Sequence, residues 1–393
     1  MLGAADSLKG TPGVELYVAA VSPDVGDFTR LEGKGIVYYL LPYGRGNTRY
    51  NPGYEPYWKR VHDEVKPEVV HIHGSEYSHG PAYVRACGPD NVVVSIQGLT
   101  SVYTRYYTAG LSLCDILGSS TPRSLISGGI LKGQRKFRRR GEYEKELLRS
   151  VRHIIGRTSW DKAHARALNP DAEYHFCGEI LRDEFYKGDI WQYGKCCAHS
   201  IFLSQASYPI KGLHKVLEAA PLIMREYPDL KIRVAGDDIT RSGSALRCLK
   251  LSDYGLMVSR LIKKNKLQDA VSFAGNLDAE GMKKEYLRCN VFVSPGSIEN
   301  SPNSLAEAQV LGVPCVASYV GGVMDMMKGD EENMYRFEEV EMLSAKVCAL
   351  FAKKNGVETG RMRQVALERH SPEQVKKQLL ETYGRVASIC TSI

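Results

Sequence analysis

The sequence has no apolar run of about 20 residues, the length a helix needs to cross a bilayer, so we expect no membrane span. It opens without the charged segment, apolar stretch and small-residue cleavage site of a secretory leader, so we do not expect secretion. Its ten cysteines include no CxxC pair, and only Cys196 and Cys197 are adjacent. This pattern favours reduced thiols over a zinc site or a disulfide framework, and it predicts a cytoplasmic protein.

The chain otherwise has an ordinary globular composition, with 393 residues of which 43% are hydrophobic and 25% charged. This length predicts two domains, each with its own core. We place them at 1–190 and 191–371, with a terminal helix at 372–393. The net charge of +7 comes largely from one segment and does not indicate a broad positively charged surface, so we expect no nucleic-acid partner.

Strand and helix patterns alternate through both halves, which predicts an α/β fold with parallel sheets covered on both faces. A helical segment, 1–9, precedes the strand 14–20, whereas nucleotide-binding folds normally open with a strand and a glycine-rich turn. The expected first strand of the N-terminal domain is thus missing from the pattern. Ligands on parallel sheets bind at the carboxyl ends of the strands. In the first half, the residues at these ends are His73, Gly74, Ser75, Glu76, Gln97 and Gly98.

The stretch 291–322 carries the clearest functional pattern. An apolar strand, VFVSP, precedes a loop rich in Ser, Asn and Pro, a helical segment 305–311, a glycine typical of helix ends and a second strand, CVAS. A strand, a loop of small residues and a helix start form an anion site, because the first helix amides carry partial positive charge. Glu299 and Glu307 bracket seven residues there, and both acids can accept hydrogen bonds from the hydroxyls of a sugar and a ribose.

This stretch resembles the signature of the retaining GT-B glycosyltransferases of glycosyltransferase family 4. The resemblance implies two Rossmann-like domains facing a cleft, and a terminal helix that crosses back to the first domain. It implies transfer of a sugar from a nucleotide-diphosphate-sugar to an acceptor hydroxyl, with retention at the anomeric carbon. Glu299 is then the residue that contacts the donor sugar, and Glu307 the one that holds the ribose hydroxyls. The implied donor is a UDP-sugar or GDP-sugar, with no further cofactor and no metal.

Other segments of the second half match the same family pattern. Lys211, in SQASYPIKG before a predicted helix, is placed to neutralise a departing diphosphate. The family usually carries an arginine a few residues earlier, where this chain has Gln205 or Ala206. The remaining residues to which the resemblance assigns donor contacts are Gly275, Asn276, Leu277, Asn303, Ser304 and Leu305.

Each of these assignments has a structural alternative. Ser304 and Glu307 also fit a capping box, which satisfies a helix start without any ligand. Glu299 also fits a solvated loop acid, and Lys211 a lysine in water. Because the pattern extends over a strand, a loop, a helix and a second strand, we favour the functional interpretation.

The candidate site residues of the first half each have more than one possible role. His71 and His73 lie two apart on a strand and share a face, but with Glu76 and His79 they make an incomplete metal set. Arg157, with Glu179 and Arg182 further along, either faces the donor or forms an interdomain salt bridge. The residues expected to contact acceptor or donor sugar are His73, Gln97, Gly98 and Arg157.

The segment Lys132 to Arg140, KGQRKFRRR, has six basic residues in nine. It is either a solvated helix face or a surface that attracts anionic lipid headgroups or a phosphate-bearing acceptor. Many members of the resembling family extend lipid-linked sugars at the cytoplasmic membrane face. The resemblance therefore implies a carbohydrate or lipid-linked acceptor, and peripheral contact with the inner membrane face through this segment.

The sequence thus predicts a retaining glycosyltransferase of cell-surface polysaccharide or glycolipid assembly. Two rival functions stay open. A sugar-nucleotide epimerase on the same scaffold needs no acceptor. A catalytically silent nucleotide- or carbohydrate-binding protein is favoured by the missing first strand and the missing arginine.

Overall fold

A computed structural model of the chain describes residues 2–42, 50–240, 251–353 and 358–390. The chain divides into two compact units. The first comprises Met1–Thr104, Lys136–Ile180 and Arg369–Ile393, and the second comprises Arg105–Arg135 and Leu181–Glu368. The domain bounds expected from the sequence, 1–190, 191–371 and 372–393, remain a prediction.

The first unit contains two sheets. Strands β1 (Tyr17–Ser22), β2 (Thr29–Gly33) and β3 (Ile36–Pro42) form one, in which β3 pairs parallel to β1 and antiparallel to β2. The other is a parallel sheet in chain order, with strands β4 (Val70–His73), β5 (Val92–Ser95), β6 (His153–Gly156) and β7 (Glu173–Phe176). The sequence pattern did not predict β2, because this strand is mostly exposed and lacks an apolar face.

Helices cover both faces of the parallel sheet in the first unit, as the alternating pattern predicted. Val93 and Ile155 face a cluster with Val375 and Leu379 of the C-terminal helix. Val92, Val94 and Ile154 point to the opposite face, into a second apolar cluster. The helices of this unit are Leu2–Leu8, Glu55–Val65, His79–Cys87, Thr100–Tyr103, Ser159–Leu168 and Pro372–Cys390.

A helix of 22 residues, Gly129–Ser150, contains the whole basic segment. The sequence left open whether the basic segment is a helix face, because this segment has little apolar periodicity. Its Glu144 is fully buried and accepts hydrogen bonds from the backbone amides of Thr100 and Ser101 at 2.8 and 3.0 Å. The carboxylate thereby satisfies two amides at the start of the helix Thr100–Tyr103.

The second unit is built on one parallel sheet of six strands. In chain order these are β8 (Ser200–Leu203), β9 (Lys231–Val234), β10 (Val271–Phe273), β11 (Val291–Ser294), β12 (Cys315–Ser318) and β13 (Met334–Tyr335). Across the sheet they run β10-β9-β8-β11-β12-β13. The order therefore reverses between β8 and β11, and ligands of doubly wound sheets bind outside the carboxyl ends of the strands at such a point.

Several helices of the second unit begin or end at residues that commonly cap helices. Ser252 caps Asp253–Lys264 and Asp278 caps Ala279–Arg288, each accepting a backbone N–H in the first turn. Gly312, with φ of 76°, follows the helix Asn303–Val310, which begins two residues earlier than predicted. The helices of this unit also include Leu113–Gly118, Pro122–Ser127, Leu213–Ile223, Val323–Met326, Val340–Ala352 and Gly360–Arg369. Within the described ranges no helix combines the length and apolar character that a membrane span requires.

Candidate functional site

The loops after β8 and β11, which flank the reversal of strand order, are packed together. The first closes with a short turn, Pro209–Lys211, and Gly212 with φ of 72°. A Cβ on Gly212 would overlap the carbonyl oxygen of Pro295 in the other loop, so only glycine fits there. The amide of Ser297 also donates to the carbonyl of Ile210 at 2.8 Å.

This packing brings Lys211 and Glu299 into contact. The Lys211 ammonium donates to Glu299 Oε1 at 2.6 Å, and the two side chains are only 22% and 12% exposed. Burial by itself lowers the pKa of Lys211, but the charge of Glu299 and the hydrogen bonds that Lys211 makes to Glu299 and Tyr208 outweigh it, so the pKa is raised. Lys211 therefore stays a cation at neutral pH and is neither a solvated lysine nor a general base.

The backbone of Glu299 is held by the glycine pair that follows β12. Gly322 N–H donates to the Glu299 carbonyl at 3.0 Å. Gly321 has φ of 52°, and a Cβ there would overlap the same carbonyl oxygen. The YVGG segment thus fixes the loop that presents Glu299, which is why it accompanies the acid in the sequence.

Glu307 is buried on the helix Asn303–Val310, and it is paired. Arg182 donates from Nε and Nη2 to Glu307 Oε1 at 3.0 and 2.8 Å, and the Tyr286 hydroxyl lies 3.4 Å from Oε2. The Glu307 side chain is 7% exposed and that of Arg182 is 43% exposed. The N-cap of this helix is Pro302, with no side-chain capping bond, so the capping-box alternative for Ser304 and Glu307 does not describe this helix start.

The start of the same helix lies directly after the Glu299 loop. Asn303, Ser304 and Leu305 are its first three residues, and the Leu305 amide bonds to the carbonyl of Pro302 at 3.0 Å. Helical geometry gives the amides of Asn303 and Ser304 no partner within the helix. The two packed loops and the helix that follows the second one thus carry two acids, one ammonium and a helix start.

The other candidate residues of the second unit follow neighbouring strands at the same edge of the sheet. Gln205, after β8, is exposed and contacts Ser207 at 3.4 Å. Gly275, after β10, has φ of 75° and accepts from the Gly236 amide at 2.8 Å. Asn276 donates to Asp237 at 3.3 Å, whereas Leu277 packs against the apolar core.

In the first unit, the candidate residues also follow the carboxyl ends of adjacent strands. Arg157, after β6, donates to Gln97 Oε1 at 2.9 Å and forms an ion pair with Glu179. Gly98 lies against Tyr103, and a Cβ added at position 98 would lie only 2.9 Å from the Tyr103 hydroxyl oxygen. Glu179 and Arg182, which the sequence left as possible interdomain partners, thus pair with Arg157 and Glu307, each within its own unit.

The histidines of β4 form a buried stack. The rings of His71 and His73 lie 3.8 Å apart, and burial lowers the pKa of His73 to about 4. His71 uses Nδ1 with the Tyr383 hydroxyl at 2.7 Å and Nε2 with Ser95. Both ring nitrogens of His71 therefore have hydrogen-bond partners within the first unit.

Sequence reasoning did not name Tyr286, and it did not pair Arg182 with Glu307. Arg182 was expected either to face the donor or to form an interdomain salt bridge, and it lies 125 positions from its partner. Tyr286 is fully buried and reads as an ordinary core residue of its helix. No local pattern signals either contact, because both depend on how the helices Ala279–Arg288 and Asn303–Val310 pack on the sheet.

Comparison with known proteins shows which family the second half of the chain is similar to. Residues 198–363 match the sequence profile of the family described as "Glycosyl transferases group 1". A D-inositol 3-phosphate glycosyltransferase of Corynebacterium urealyticum is 33% identical over 119 residues, which are 29% of this chain and 25% of that protein. The chain thus aligns with about a quarter of the length of this relative.

Solved structures of low sequence identity share the fold over nearly the whole chain. Sucrose-phosphate synthase from Thermosynechococcus elongatus has a TM-score of 0.70 at 16% identity, covering 98% of this chain and 92% of that one. The Anabaena protein HepE, solved with UDP and glucose, has a TM-score of 0.60 at 14% identity, covering 90% and 86%. The chain therefore has the α/β fold with parallel sheets of the GT-B glycosyltransferases, and residues 198–363 match a glycosyl transferases group 1 domain.

Proposed function

We propose that the protein is a retaining glycosyltransferase that moves a sugar from a nucleotide-diphosphate-sugar to an acceptor hydroxyl. The observation that carries the proposal is the buried contact between Lys211 and Glu299, on the two loops at the reversal of strand order. It places a cation beside an acid on the loop that leads into the helix Asn303–Val310, and a cation and a helix start are groups that suit a sugar diphosphate.

In this proposal the departing diphosphate is stabilised by charge already present in the site. Lys211 and the amides of Asn303 and Ser304 face the phosphoryl oxygens, and their contacts strengthen as the glycosidic bond breaks. The diphosphate then helps to take the proton of the acceptor hydroxyl, which attacks from the same side of the sugar. No side chain acts as nucleophile, and no step needs a divalent ion.

The two acids hold the donor at its sugar and at its ribose. Lys211 occupies Oε1 of Glu299, so we assign Oε2 to the donor-sugar hydroxyls. Glu307 accepts hydrogen bonds from the ribose hydroxyls, while the ion pair with Arg182 holds the Glu307 carboxylate in place. Backbone groups of Gly275 and Asn276 hold the base, and Gln205 takes the place of the family's arginine with a neutral hydrogen bond.

We propose an anionic acceptor that is presented at a membrane surface. The helix Gly129–Ser150 exposes the cationic side chains of Lys132, Arg135, Lys136, Arg138 and Arg139. Arg140 instead lies over the Tyr77 ring at 4.3 Å. The similar relative named above acts on an inositol phosphate, an acceptor with the same kind of charge. A carbohydrate or lipid-linked acceptor bearing phosphate fits this surface, with His73, Gln97, Gly98 and Arg157 as candidate contacts in the first unit.

Nucleotide binding followed by a transfer assay tests the proposal. The full chain is melted with UDP, GDP or ADP, since a ligand that binds only the folded state raises the melting temperature. We expect UDP or GDP to raise it and Glu307→Ala to abolish the rise. Glu285→Gln, which removes a carboxylate from another part-buried ion pair, with Arg233 at 2.6 Å, is the matched control and should keep the rise.

The transfer assay supplies the matching donor sugar and a set of polyol phosphates or lipid phosphates. A product with the anomeric configuration of the donor supports the proposal, and an inverted product overturns retention. An isomerised free donor without acceptor would instead establish the epimerase. Nucleotide binding without turnover of any donor would establish the silent binding protein.

A further inference from the structure

A second cluster of ligating side chains lies in the first unit, at the amino-terminal edge of its parallel sheet. His153 is the first residue of β6 and Glu173 the first residue of β7, and the two are paired across the strands. His175 follows two positions after Glu173, so it points to the same face. None of the three belongs to the loops at the carboxyl ends of the strands.

The ligand atoms of this cluster are close together. One from each residue lies within 4.8 Å of the other two. His153 Nδ1 and His175 Nε2 share a hydrogen bond at 3.0 Å, which a bound ion would replace, and His153 Nδ1 lies 3.8 Å from Glu173 Oε2. Atoms bound to a tetrahedral ion at about 2.0–2.1 Å lie about 3.4 Å apart. The two separations from His153 differ from this value by about 0.4 Å, and the third, between Glu173 and His175, lies within 4.8 Å.

The two histidines are enclosed by the protein. His153 is fully buried and His175 is 7% exposed. An imidazole offers a metal the lone pair of one ring nitrogen.

The carboxylate is held in place from the outside. Arg385, on the C-terminal helix, donates to Glu173 Oε1 at 2.7 Å, while Oε2 is directed at His153. Hydrogen-bonded support of this kind commonly orients a ligating carboxylate. The Glu173 side chain is 39% exposed, which gives an ion a path from solvent.

We propose that His153, Glu173 and His175 bind one divalent transition-metal ion of the zinc class. Two imidazoles and one carboxylate are typical zinc ligands, whereas magnesium and calcium prefer all-oxygen sets. Because the cluster joins β6 and β7 at the edge away from the loops that carry the candidate site, the ion stabilises the first unit and takes no part in sugar transfer.

Zinc titration of the full chain, without an affinity tag and stripped with EDTA, tests the site. We expect one zinc ion per chain by calorimetry and a melting temperature that rises with zinc. Glu173→Gln and His175→Gln should each weaken zinc binding at least tenfold. His199→Gln, which removes the histidine of a lone His–carboxylate pair with Asp229 at 2.8 Å, is the control and should change nothing.

Cobalt substitution keeps the test decisive if a variant does not fold. Co²⁺ bound by the wild-type chain in this site should show the strong visible bands of four-coordinate cobalt, and zinc should displace it while excess magnesium does not. Zinc affinity equal in wild type and Glu173→Gln, or only the weak spectrum of hydrated cobalt, would overturn the proposal. The donor assay above is independent of it, because no residue is shared.

Discussion

Arg182 and Glu307 form a two-point hydrogen bond through a single carboxylate oxygen, with donor–acceptor distances of 3.0 and 2.8 Å. The carboxylate is nearly buried, and the guanidinium is partly open to solvent. The acid that the proposal assigns to the ribose is therefore already charged, oriented and partnered. A ribose must share this carboxylate with Arg182.

The first prediction concerns the role of Arg182. Arg182→Met should weaken binding of UDP or GDP at least tenfold, and binding of the bare nucleoside by a similar factor. The reason is that the guanidinium orients the Glu307 carboxylate, which accepts hydrogen bonds from the ribose. Leaving Glu307 buried without this donor should cost about 1–3 kcal/mol of stability. Calorimetry with nucleoside and nucleoside diphosphate, alongside urea unfolding, measures both effects.

Arg182→Lys separates orientation from charge, because lysine keeps the cation but not the fork of donors. It should recover most of the stability and little of the nucleoside affinity. Loss of diphosphate affinity with unchanged nucleoside affinity would show instead that Arg182 contacts the phosphates. Tighter nucleoside binding would show that it competes with the ribose.

The second prediction concerns Lys211. Lys211→Met removes the cation from the diphosphate, so turnover should fall by roughly 10²-fold or more, the scale of losing one electrostatic contact in a transition state. Because Lys211 has a raised pKa, wild-type activity should show no alkaline loss from this group below pH 9. A pH–rate profile and single-turnover kinetics on both proteins check these points, and turnover equal to wild type in Lys211→Met contradicts the role.

The third prediction concerns Gly212. Gly212→Ala forces a side chain against the backbone of Pro295, so the two loops must separate, and nucleotide affinity should fall at least tenfold. Gly188→Ala is the control, since Gly188 has the same φ of 72° and meets only the end of Lys283 at 3.5 Å. Backbone strain of about 1–2 kcal/mol is common to both variants. Equal nucleotide affinities in the two variants would refute the steric explanation.

The fourth prediction concerns acid stability. His214 is buried, bonds to Tyr254 and to the carbonyl of Ala109 at 3.1 and 3.0 Å, and has its pKa lowered to about 4 by burial. Between pH 6.5 and 4 the unfolded chain binds a proton that the folded chain does not, so stability falls as pH falls through this window. His73 and His370, also with pKa values of about 4, add to the slope.

Urea unfolding at pH 7, 6, 5 and 4.5 measures this loss. His214→Gln should be less stable than wild type at pH 7, and its stability should fall less steeply with pH. Parallel curves for the two proteins would mean that His214 stays protonated, or that it titrates equally in both states.

The fifth prediction concerns the basic helix. Replacing Arg135, Arg138 and Arg139 with glutamine should reduce binding to vesicles rich in anionic lipid by about 100-fold, at about 1 kcal/mol per basic residue. Glutamine at the exposed Lys263, Lys264 and Lys266 removes the same charge elsewhere and should leave binding unchanged. Flotation at two salt concentrations measures both sets, because screening weakens the attraction. Equal losses would indicate only a net-charge effect.

Much of the fold was predictable because its signals are local. The apolar strands VFVS and CVAS, the helix after SQASYPIKG and the glycine after the signature helix all lie where the pattern placed them. The strand β2 and the full extent of the helix Gly129–Ser150 were not predicted, because exposed and charged segments carry little periodicity.

The sequence by itself determined the α/β alternation and the loop types, since hydrophobic period and glycine positions act over a few residues. Which side chains meet was decided only by the tertiary structure. Lys211 reaches Glu299 across 88 positions because β8 and β11 are neighbours in the sheet, and Arg182 reaches Glu307 across 125. Such contacts depend on strand order and helix packing, and no short-range pattern encodes them.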